Sequence, residues 1–331
     1  MKRALRIAGS MIVLVVFILS VSMATGVPPK VFGVVGNPSS VMNWAETIGV
    51  KPTMPMQFEA WSNDRTLDVE FAEARLDGFS SYMITWEPWQ PVAANLGVKA
   101  QAAPQPLYSN ASIADGLHDA YIKAFAESVA DSGLQTVYIR FAQEMNGNWY
   151  PWSINSKEYI LAWRHIVHIF RASGATNARF IYSTNPSLYQ TNAQWTAGFW
   201  KYWPGSAYVD YVGSTMINFG SIRCRQIPCS GSDKGYPVSL FEPRVMMGYE
   251  LTGKQTFISE FNTSQQTSLA WLKDFDNWLA TGTSWISGVV LSQEPSRASE
   301  HMPTGNLDWS VLSYPDTYSI VRNIVYTAIG N

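Results

Sequence analysis

The sequence has few charged residues and no cluster of basic ones. Charged side chains make up 15% of the 331 residues, and 23 basic against 25 acidic residues leave a formal net charge of −2. Lysine and arginine are scattered singly after the N-terminus, so there is no basic stripe that would attract nucleic acid. Apolar residues make up 47% of the chain, which is enough for a large core and argues against disorder. These values indicate a globular protein that does not bind nucleic acid.

The sequence also lacks an apolar run of the length that a membrane-spanning helix needs, about 20 residues. The N-terminal run Met11–Val21 is shorter, follows a basic segment and precedes Ser22–Ala24, a small-x-small cleavage pattern. We therefore expect a signal peptide over residues 1–24 and a single mature domain over residues 25–331, in a secreted or extracytoplasmic protein. The alternative is an uncleaved N-terminal membrane anchor, which would still place the body of the protein outside the cytoplasm.

Cysteine is scarce, with only Cys224 and Cys229, which lie in a stretch rich in glycine, serine and proline. In an oxidising compartment, two cysteines this close are expected to form a small loop-closing disulfide. A metal site is the poorer interpretation, since no second cysteine pair lies at ligand spacing. The four histidines form no ligand motif either. We therefore expect no metal and no cofactor in the chemistry.

Aromatic residues, in contrast, are abundant, at 14% of the chain with 14 tryptophans. A protein core does not need so many tryptophans, because indole is bulky and its N–H requires a partner. Sugars present flat C–H faces that stack on aromatic rings. The composition therefore favours a carbohydrate ligand.

Short apolar runs alternate with segments of helical periodicity along the whole sequence. The predicted strands are Val31–Val35, Met56–Trp61, Ser81–Trp86, Thr136–Phe141, Arg179–Ser183, Tyr208–Val212, Gln255–Ser259 and Trp285–Leu291. The predicted helices are Asp68–Leu76, one from Asp115 to Gly133, one from Ser156 towards Gly174, Thr267–Leu279 and Thr317–Ile329. This alternation predicts an α/β fold of the (β/α)8 TIM barrel type. A doubly wound sheet is the alternative, but Gly33–Pro38 is not the glycine-rich phosphate turn that such folds carry after the first strand.

Two glutamates directly follow predicted strands of this barrel. Glu144 comes after the fourth strand, and Glu260 comes after the seventh. In a TIM barrel the active site lies where the strands end and the following loops begin. A carboxylate in that position is costly to bury unless it is paired or used. Pairing with Arg140 or with a helix end would explain either glutamate alone, but the two together indicate a shared site.

Two carboxylates that face one cavity are what cleavage of a glycosidic bond requires. One has to be protonated, to donate to the leaving oxygen, and the other has to be ionised, to attack or to activate water. The aromatic residues after Glu144 would supply stacking surfaces for sugar rings. The alternative for each of these rings is plain loop packing.

The segment Arg140–Trp152, with its string Glu-Met-Asn-Gly-Asn-Trp-Tyr-Pro-Trp, resembles the acid/base signature of glycoside hydrolase family 26. Phe257–Asn262 is similar to the nucleophile signature of that family, and Ile84–Trp89 resembles its third-strand pattern. The family includes β-mannanases, mixed-linkage glucanases and some xylanases. The resemblance implies a retaining, endo-β-mannanase-like hydrolase that cleaves a β-linked polysaccharide by double displacement, with Glu144 as acid/base and Glu260 as nucleophile.

The resemblance and the strand ends together give a set of candidate substrate-binding residues. They are Arg140, Gln143, Asn146, Trp149, Tyr150, Trp152, Trp86, Glu87, Trp89, Asn218 and Phe219. We expect the protein to be a monomer whose partner is its polysaccharide substrate, which would be a mannan, a mixed-linkage glucan, a xylan or an exopolysaccharide.

The sequence departs from the family pattern at three positions near the two glutamates. Gln143 stands where family members place histidine, and an amide can hydrogen-bond a sugar hydroxyl but cannot titrate. In the sixth strand, Thr215 and Ile217 replace an acid and a tyrosine of the pattern Val-Gly-x-Asp-x-Tyr-Asn. These departures leave two alternatives open. One is a polysaccharide-binding protein with weakened turnover, and the other is a transglycosylase that remodels an exopolysaccharide.

Overall fold

The computed structural model describes residues 30–92, 97–219, 237–264, 268–281, 283–293 and 310–330. The predicted signal peptide and the predicted Cys224–Cys229 disulfide lie outside these residues. Within the described ranges, no helix is both long enough and apolar enough to cross a membrane.

Eight parallel strands form a closed barrel in chain order, from β1 through β8 and back to β1. Their bounds are Val31–Val35 (β1), Met54–Ala60 (β2), Ser81–Glu87 (β3), Thr136–Phe141 (β4), Ala178–Thr184 (β5), Tyr211–Asn218 (β6), Thr256–Thr263 (β7) and Ile286–Leu291 (β8). The predicted (β/α)8 barrel is confirmed. The sixth strand begins at Tyr211 and contains Thr215 and Ile217, as predicted, and the seventh runs to Thr263 instead of Ser259.

Helices connect the strands around the outside of the barrel. Their bounds are Pro38–Ile48 (α1), Asp68–Leu76 (α2), Gly97–Gln101 (α3), Asn110–Ala114 (α4), Asp119–Asp131 (α5), Ser156–Ala172 (α6), Asn192–Lys201 (α7), Val238–Thr252 (α8), Ser268–Ala280 (α9) and Tyr318–Ile329 (α10). The longest, α6, begins after Asn155, whose side-chain oxygen accepts from the backbone N–H groups of Lys157 and Glu158. This is the N-cap arrangement that satisfies amides without an intrahelical partner.

The helix predicted to begin at Asp115 begins at Asp119, as α5, and this boundary was wrong. The short helix α4 ends before it, at Ala114, and was not predicted. Gly116 lies between the two helices with φ +87°, a left-handed conformation that favours glycine. Leu117, the next residue, is 63% exposed.

The interior of the barrel is filled by side chains from alternate strand positions. The buried members of this inner cluster are Val31, Met54, Met56, Met83, Tyr138, Ile181, Phe257 and Val290. The intervening strand residues face the helices and form a second, larger core together with the inner faces of those helices. Because successive side chains of a strand point to opposite faces, each strand contributes to both cores. Polar residues follow the inner apolar ones towards the carboxyl ends of the strands.

Strand β7 carries a bulge beside Glu260. In its register with β6, Ile258 pairs with Ser214 and Glu260 pairs with Thr215, which leaves Ser259 as an extra, unpaired residue. Strict alternation would turn Glu260 outwards, towards the helices. The extra residue lets Ser259 and Glu260 both face the barrel interior, as their hydrogen bonds to interior side chains show.

Candidate active site

Glu260 is joined to Arg140 by a short, buried ion pair. Arg140 Nη1 donates to Glu260 Oε1 at 2.6 Å, and the arginine side chain is fully buried while the glutamate side chain is 9% exposed. The second carboxylate oxygen, Oε2, accepts from the hydroxyl of Ser292 at 3.2 Å, just after β8. Both carboxylate oxygens of Glu260 therefore have a donor, and one of the two donors is a cation.

Three further N–H groups of Arg140 donate to hydroxyl groups on other strands of the barrel. Its Nε donates to Ser183 Oγ on β5 at 3.0 Å, and Nη1 also donates to Thr85 Oγ1 on β3 at 3.3 Å. Nη2 donates to Thr215 Oγ1 on β6 at 3.3 Å. The guanidinium is therefore fixed across the barrel from β3 to β7, and a fixed guanidinium holds the carboxylate that it pairs with.

Glu144 lies at the end of β4, half-buried, with both of its carboxylate oxygens hydrogen-bonded. The indole Nε1 of Trp149 donates to Oε2 at 3.0 Å, and the amide Nδ2 of Asn185 donates to Oε1 at 3.0 Å. The backbone N–H of Glu144 donates to the carbonyl of Ser183 at 2.8 Å. Because the hydroxyl of Ser183 accepts from Arg140, this one residue of β5 contacts both the strand end that carries Glu144 and the cation that holds Glu260.

The backbone around Glu144 adopts a left-handed conformation at two residues that are not glycine. Ala142 has φ +43° and Glu144 has φ +54°. Such conformations cost on the order of 1–3 kcal/mol each and persist only where the surroundings impose them. The turn brings the Glu144 side chain to the end of the barrel at which the Arg140–Glu260 pair lies.

A third carboxylate, Glu87, lies at the end of β3 and accepts two neutral donors. Gln143 Nε2 donates to Glu87 Oε1 at 2.6 Å, and Trp89 Nε1 donates to Glu87 Oε2 at 3.2 Å. Glu87 is 7% exposed. Gln143, at the position where the family pattern has histidine, thus uses its amide to orient a carboxylate of the site.

Three aromatic residues stack behind this cluster. Tyr150 and Trp152 are parallel, with ring centroids 4.2 Å apart, and Trp89 meets each of them edge-on at 5.5 Å. Trp152 is 1% exposed and its indole N–H donates to the carbonyl of Gln143 at 2.8 Å. Trp152 therefore supports Tyr150 from below, and the prediction that it contacts substrate is wrong.

Two further predicted substrate-binding residues point away from the site. Trp86 is fully buried in the outer core, where it stacks on Phe125 at 4.6 Å and donates to the hydroxyl of Tyr121 at 3.0 Å. Asn218 is also fully buried, and its amide donates to Thr263 Oγ1 at 3.1 Å. Both predictions are wrong for the same reason. Each residue occupies a strand position whose neighbours face inwards, so its own side chain faces the helices.

Three other residues that the sequence analysis singled out are half-buried near the ends of β4 and β6. Asn146 is half-buried and exchanges two hydrogen bonds with the backbone of Asn185, at 2.9 and 2.8 Å. Phe219 is half-buried at the end of β6. Ile217 is half-buried on the inward-facing side of β6, where it pairs in register with Asn262.

Five polar residues of the site were not predicted from the sequence. They are Thr85, Ser183, Asn185, Thr215 as a partner of Arg140, and Ser292. Each lies at an inward-facing position within or just after a strand. Thr85 and Ser183 could have been predicted from the strand pattern. Each is a polar residue at the end of an apolar run, two positions after a residue of the inner core. Among the described residues, no group of three or more His, Cys, Asp or Glu side chains could hold a metal ion.

Comparison with known proteins finds a family match that includes the strand carrying Arg140 and the loop carrying Glu144. The sequence model described as Glycosyl hydrolase family 26 matches residues 97–221, which include Arg140, Gln143 and Glu144. The predicted resemblance to family 26 is confirmed.

Endoglucanase H of Acetivibrio thermocellus is 27% identical to the chain over 302 residues. This match covers 88% of the chain but 29% of the relative, so the chain spans less than a third of that protein's length.

Several solved structures share the fold. The family 26 β-mannanase of Bacteroides ovatus has a TM-score of 0.53 and 14% identity, with 89% of each chain covered. The modular endo-β-1,4-mannanase of Cellulomonas fimi has a TM-score of 0.58 and 14% identity, over 88% of this chain and 70% of that one. A fungal β-1,4-galactanase has a TM-score of 0.60 and 12% identity, over 86% and 95% of the two chains.

Proposed function

We propose that the protein is a retaining glycoside hydrolase that cleaves a β-linked polysaccharide, with Glu260 as the nucleophile and Glu144 as the acid/base. The observation that carries this proposal is the 2.6 Å pair between Arg140 and Glu260, at the same end of the barrel as Glu144. The two glutamates have different environments there. One is held by a cation, and the other accepts only neutral N–H groups among its hydrogen bonds.

These environments suit the two roles. A nucleophile needs a carboxylate held in a fixed position, and the guanidinium of Arg140 together with the Ser292 hydroxyl holds both oxygens of Glu260. An acid/base has to gain and lose a proton at a position that solvent and substrate can reach. Glu144 is more exposed than Glu260, and the side chains that donate to it within the described part of the chain are neutral.

The reaction would proceed in two displacements. In the first, Glu260 attacks the anomeric carbon while Glu144 gives its proton to the glycosidic oxygen, whose bond to that carbon breaks. In the second, Glu144 takes a proton from water, the water oxygen bonds to the anomeric carbon, and the ester to Glu260 breaks. This route requires the two carboxyl groups to lie about 5–5.5 Å apart.

The substrate class follows from the relatives and from the aromatic residues of the site. Endoglucanase H and the mannanases named above are called after β-linked polymers of glucose and mannose. Trp149 and Tyr150 are half-buried beside Glu144 and leave ring surface for sugars. We therefore propose endo cleavage of a mannan, a mixed-linkage glucan or a related β-linked polymer. We also propose one catalytic domain over residues 25–331, exported by the N-terminal signal and active as a monomer.

Release of reducing ends from a panel of polysaccharides tests the proposed activity. The panel contains β-mannan, mixed-linkage β-glucan, xylan and β-1,4-galactan, and we expect turnover on at least one of them. Glu144→Gln and Glu260→Ala should each lose most of this turnover. Thermal unfolding should be unchanged in Glu144→Gln, whereas Glu260→Ala leaves the buried Arg140 without its partner and should also unfold at a lower temperature. The matched control is Glu73→Gln, an exposed glutamate of α2, which should keep wild-type rates. Near-normal activity of either site variant would refute the assignment.

A covalent trap tests the mechanism separately from the activity. A 2-deoxy-2-fluoro glycoside with a good leaving group should label the wild-type protein once, and peptide mass spectrometry should locate the label on Glu260. Binding of a polysaccharide without any release of reducing ends would instead identify a binding protein. Products longer than the substrate would identify a transglycosylase.

A further inference from the structure

We infer that Asn185 is a positioning residue for Glu144, which fixes one carboxylate oxygen as an acceptor and reserves the other for the proton. This inference rests on the proposed function. The contact that carries it is the 3.0 Å hydrogen bond from Asn185 Nδ2 to Glu144 Oε1. Asn185 follows β5 directly and is half-buried, so its side chain is available at the same rim as Glu144.

The orientation of the Asn185 amide is fixed by its other bonds. Its side-chain oxygen Oδ1 accepts from the backbone N–H of Ser187 at 2.8 Å and from the Ser187 hydroxyl at 3.4 Å. A backbone N–H can only donate, so the oxygen of the amide has to face Ser187. The NH2 group is therefore left to face Glu144, and the amide acts there as a donor in every state of the glutamate.

The backbone of Asn185 is held equally firmly. Its N–H donates to Asn146 Oδ1 at 2.8 Å, and its carbonyl accepts from Asn146 Nδ2 at 2.9 Å and from Trp195 Nε1 at 2.9 Å. Asn146 lies two residues after Glu144. The same short loop thus contributes the carboxylate and the side chain that clamps the carboxylate's partner.

A fixed donor on Oε1 determines where the catalytic proton can lie. A protonated carboxyl group has one hydroxyl oxygen and one carbonyl oxygen, and the carbonyl oxygen is the better acceptor. With Asn185 donating to Oε1, the proton occupies Oε2, which faces the indole of Trp149. In the first displacement Oε2 gives this proton to the glycosidic oxygen, and in the second Oε2 takes a proton from water. Asn185 keeps its bond to Oε1 throughout.

The other charged groups near the site are the Arg140–Glu260 pair, on β4 and β7, and Glu87 at the end of β3. Among the described residues, the side chains that hydrogen-bond the Glu144 carboxylate are instead those of Trp149 and Asn185. The Trp149 indole contacts Oε2 in the structure and has to yield this oxygen to the leaving group, whereas the Asn185 amide does not. Asn185 is therefore the contact whose loss should affect proton transfer specifically.

Two variants of Asn185 separate this role from a structural one. Asn185→Ala removes the donor, while Asn185→Asp has the same shape and keeps an oxygen for the Ser187 N–H. We expect Asn185→Ala to lower kcat/KM on the polysaccharide about 10- to 100-fold, as loss of efficient acid catalysis would. On a 2,4-dinitrophenyl β-glycoside of the same sugar, kcat/KM should change less than about threefold, because that leaving group needs no proton.

The aspartate variant adds a pH readout. A carboxylate placed against Glu144 repels a second negative charge there, so the alkaline limb of kcat/KM should move to higher pH. The matched control is Asn192→Asp, the same chemical change at an exposed residue that begins α7. Its side-chain oxygen accepts from Arg244 and does not touch Glu144, so its pH profile should equal that of the wild type.

Each outcome decides the inference. Equal losses of Asn185→Ala on the two substrates, or an unmoved alkaline limb in Asn185→Asp, would overturn the role of Asn185 while leaving the proposed function intact. A wild-type protein inactive on the polysaccharide panel and on the dinitrophenyl glycosides would overturn both. Polysaccharide turnover at the wild-type level in both Asn185 variants would also overturn the role of Asn185.

Discussion

Arg140 and Glu260 lie 120 residues apart in the sequence, and their side chains meet at 2.6 Å inside the barrel. The arginine is fully buried, and three more of its N–H groups donate to hydroxyl groups on three other strands. Two features of the chain produce the contact. Alternation along β4 points residue 140 inwards after Tyr138, and the bulge in β7 turns Glu260 inwards beside Ser259.

Removal of the arginine should damage both stability and turnover. Arg140→Met leaves a carboxylate of the barrel interior without its cation, which costs about 3–5 kcal/mol of unfolding free energy in comparable buried pairs. It also leaves Glu260 without the guanidinium that holds its carboxylate in place. We expect polysaccharide turnover to fall at least about 100-fold, which is the loss seen when an enzyme loses one preorganised donor of its active site. Urea unfolding and reducing-end release measure the two effects.

The control for this prediction is an ion pair that is exposed. Lys123 and Glu127 pair at 2.9 Å on α5 with side chains 63% and 49% exposed. Lys123→Met should change the unfolding free energy by less than about 0.5 kcal/mol. If Arg140→Met proved as mild as this control, the buried pair would not be holding the site together.

The stacked rings of Tyr150 and Trp152 should respond differently to truncation. Trp152→Ala empties a fully buried site and is expected to cost about 3–5 kcal/mol of unfolding free energy. Tyr150→Ala removes the more exposed ring of the stack and should mainly raise KM, with a smaller loss of stability. Thermal unfolding and steady-state kinetics on the polysaccharide distinguish the two. A KM effect confined to Trp152→Ala would reverse these assignments.

Much of the fold could be predicted from the sequence, because strand and helix signals were local. The predicted bounds of β1, β4 and α2 agree with the structure residue for residue. Runs of β-branched and apolar residues mark those strands, and the amphipathic segment of α2 begins at an aspartate. Helices α1, α3, α4, α7 and α8 were missed. They lie in connections to which no helix was assigned.

The site was predictable only where a strand end could be located. Glu144 and Glu260 were found because each follows an apolar run, but the bulge that turns Glu260 inwards depends on pairing with β6 and leaves no local signal. Trp86 was a candidate for the site, although its position in β3 already indicated the opposite face. Met83 faces the barrel interior, and Trp86 is three residues further along the strand, so alternation turns its side chain towards the helices. Asn185 could not be found, because its contact with Glu144 joins two different loops.

Two glycine substitutions should change stability in opposite directions. A Cβ on Gly288, in β8, would lie 2.7 Å from Val31 Cγ2 and closer still to the ring of Phe257, both in the inner core. Gly288→Ala should therefore cost about 1–3 kcal/mol, as overpacking of a filled core does. Gly198, within α7, has no atom closer than Asn146 Cβ at 3.9 Å. Gly198→Ala should gain up to about 1 kcal/mol from helix propensity. Urea unfolding of the two variants checks both signs, and a neutral Gly288→Ala would mean that β8 can move away from β7.

Alkaline pH should unfold the protein through its buried tyrosines. Burial raises the pKa of Tyr138, in the inner core, above the ordinary value of 10.0, and it raises the pKa of Tyr159 and Tyr182 well above that value. A raised pKa in the folded state gives stability that is fully present below about pH 10 and is lost as the pH rises towards the folded-state pKa. Each such tyrosine should steepen the fall of the unfolding free energy by about 1.4 kcal/mol per pH unit above pH 10. Tyr138→Phe should remove one such contribution, whereas Tyr189→Phe, which alters a phenol that is 58% exposed, is the control. Tyr138 lies on β4 between β3 and β5, where the barrel should shield its phenol from solvent. The prediction would fail if ultraviolet titration found the Tyr138 phenolate below pH 10 in the folded protein and if Tyr138→Phe did not change how steeply the unfolding free energy falls with pH.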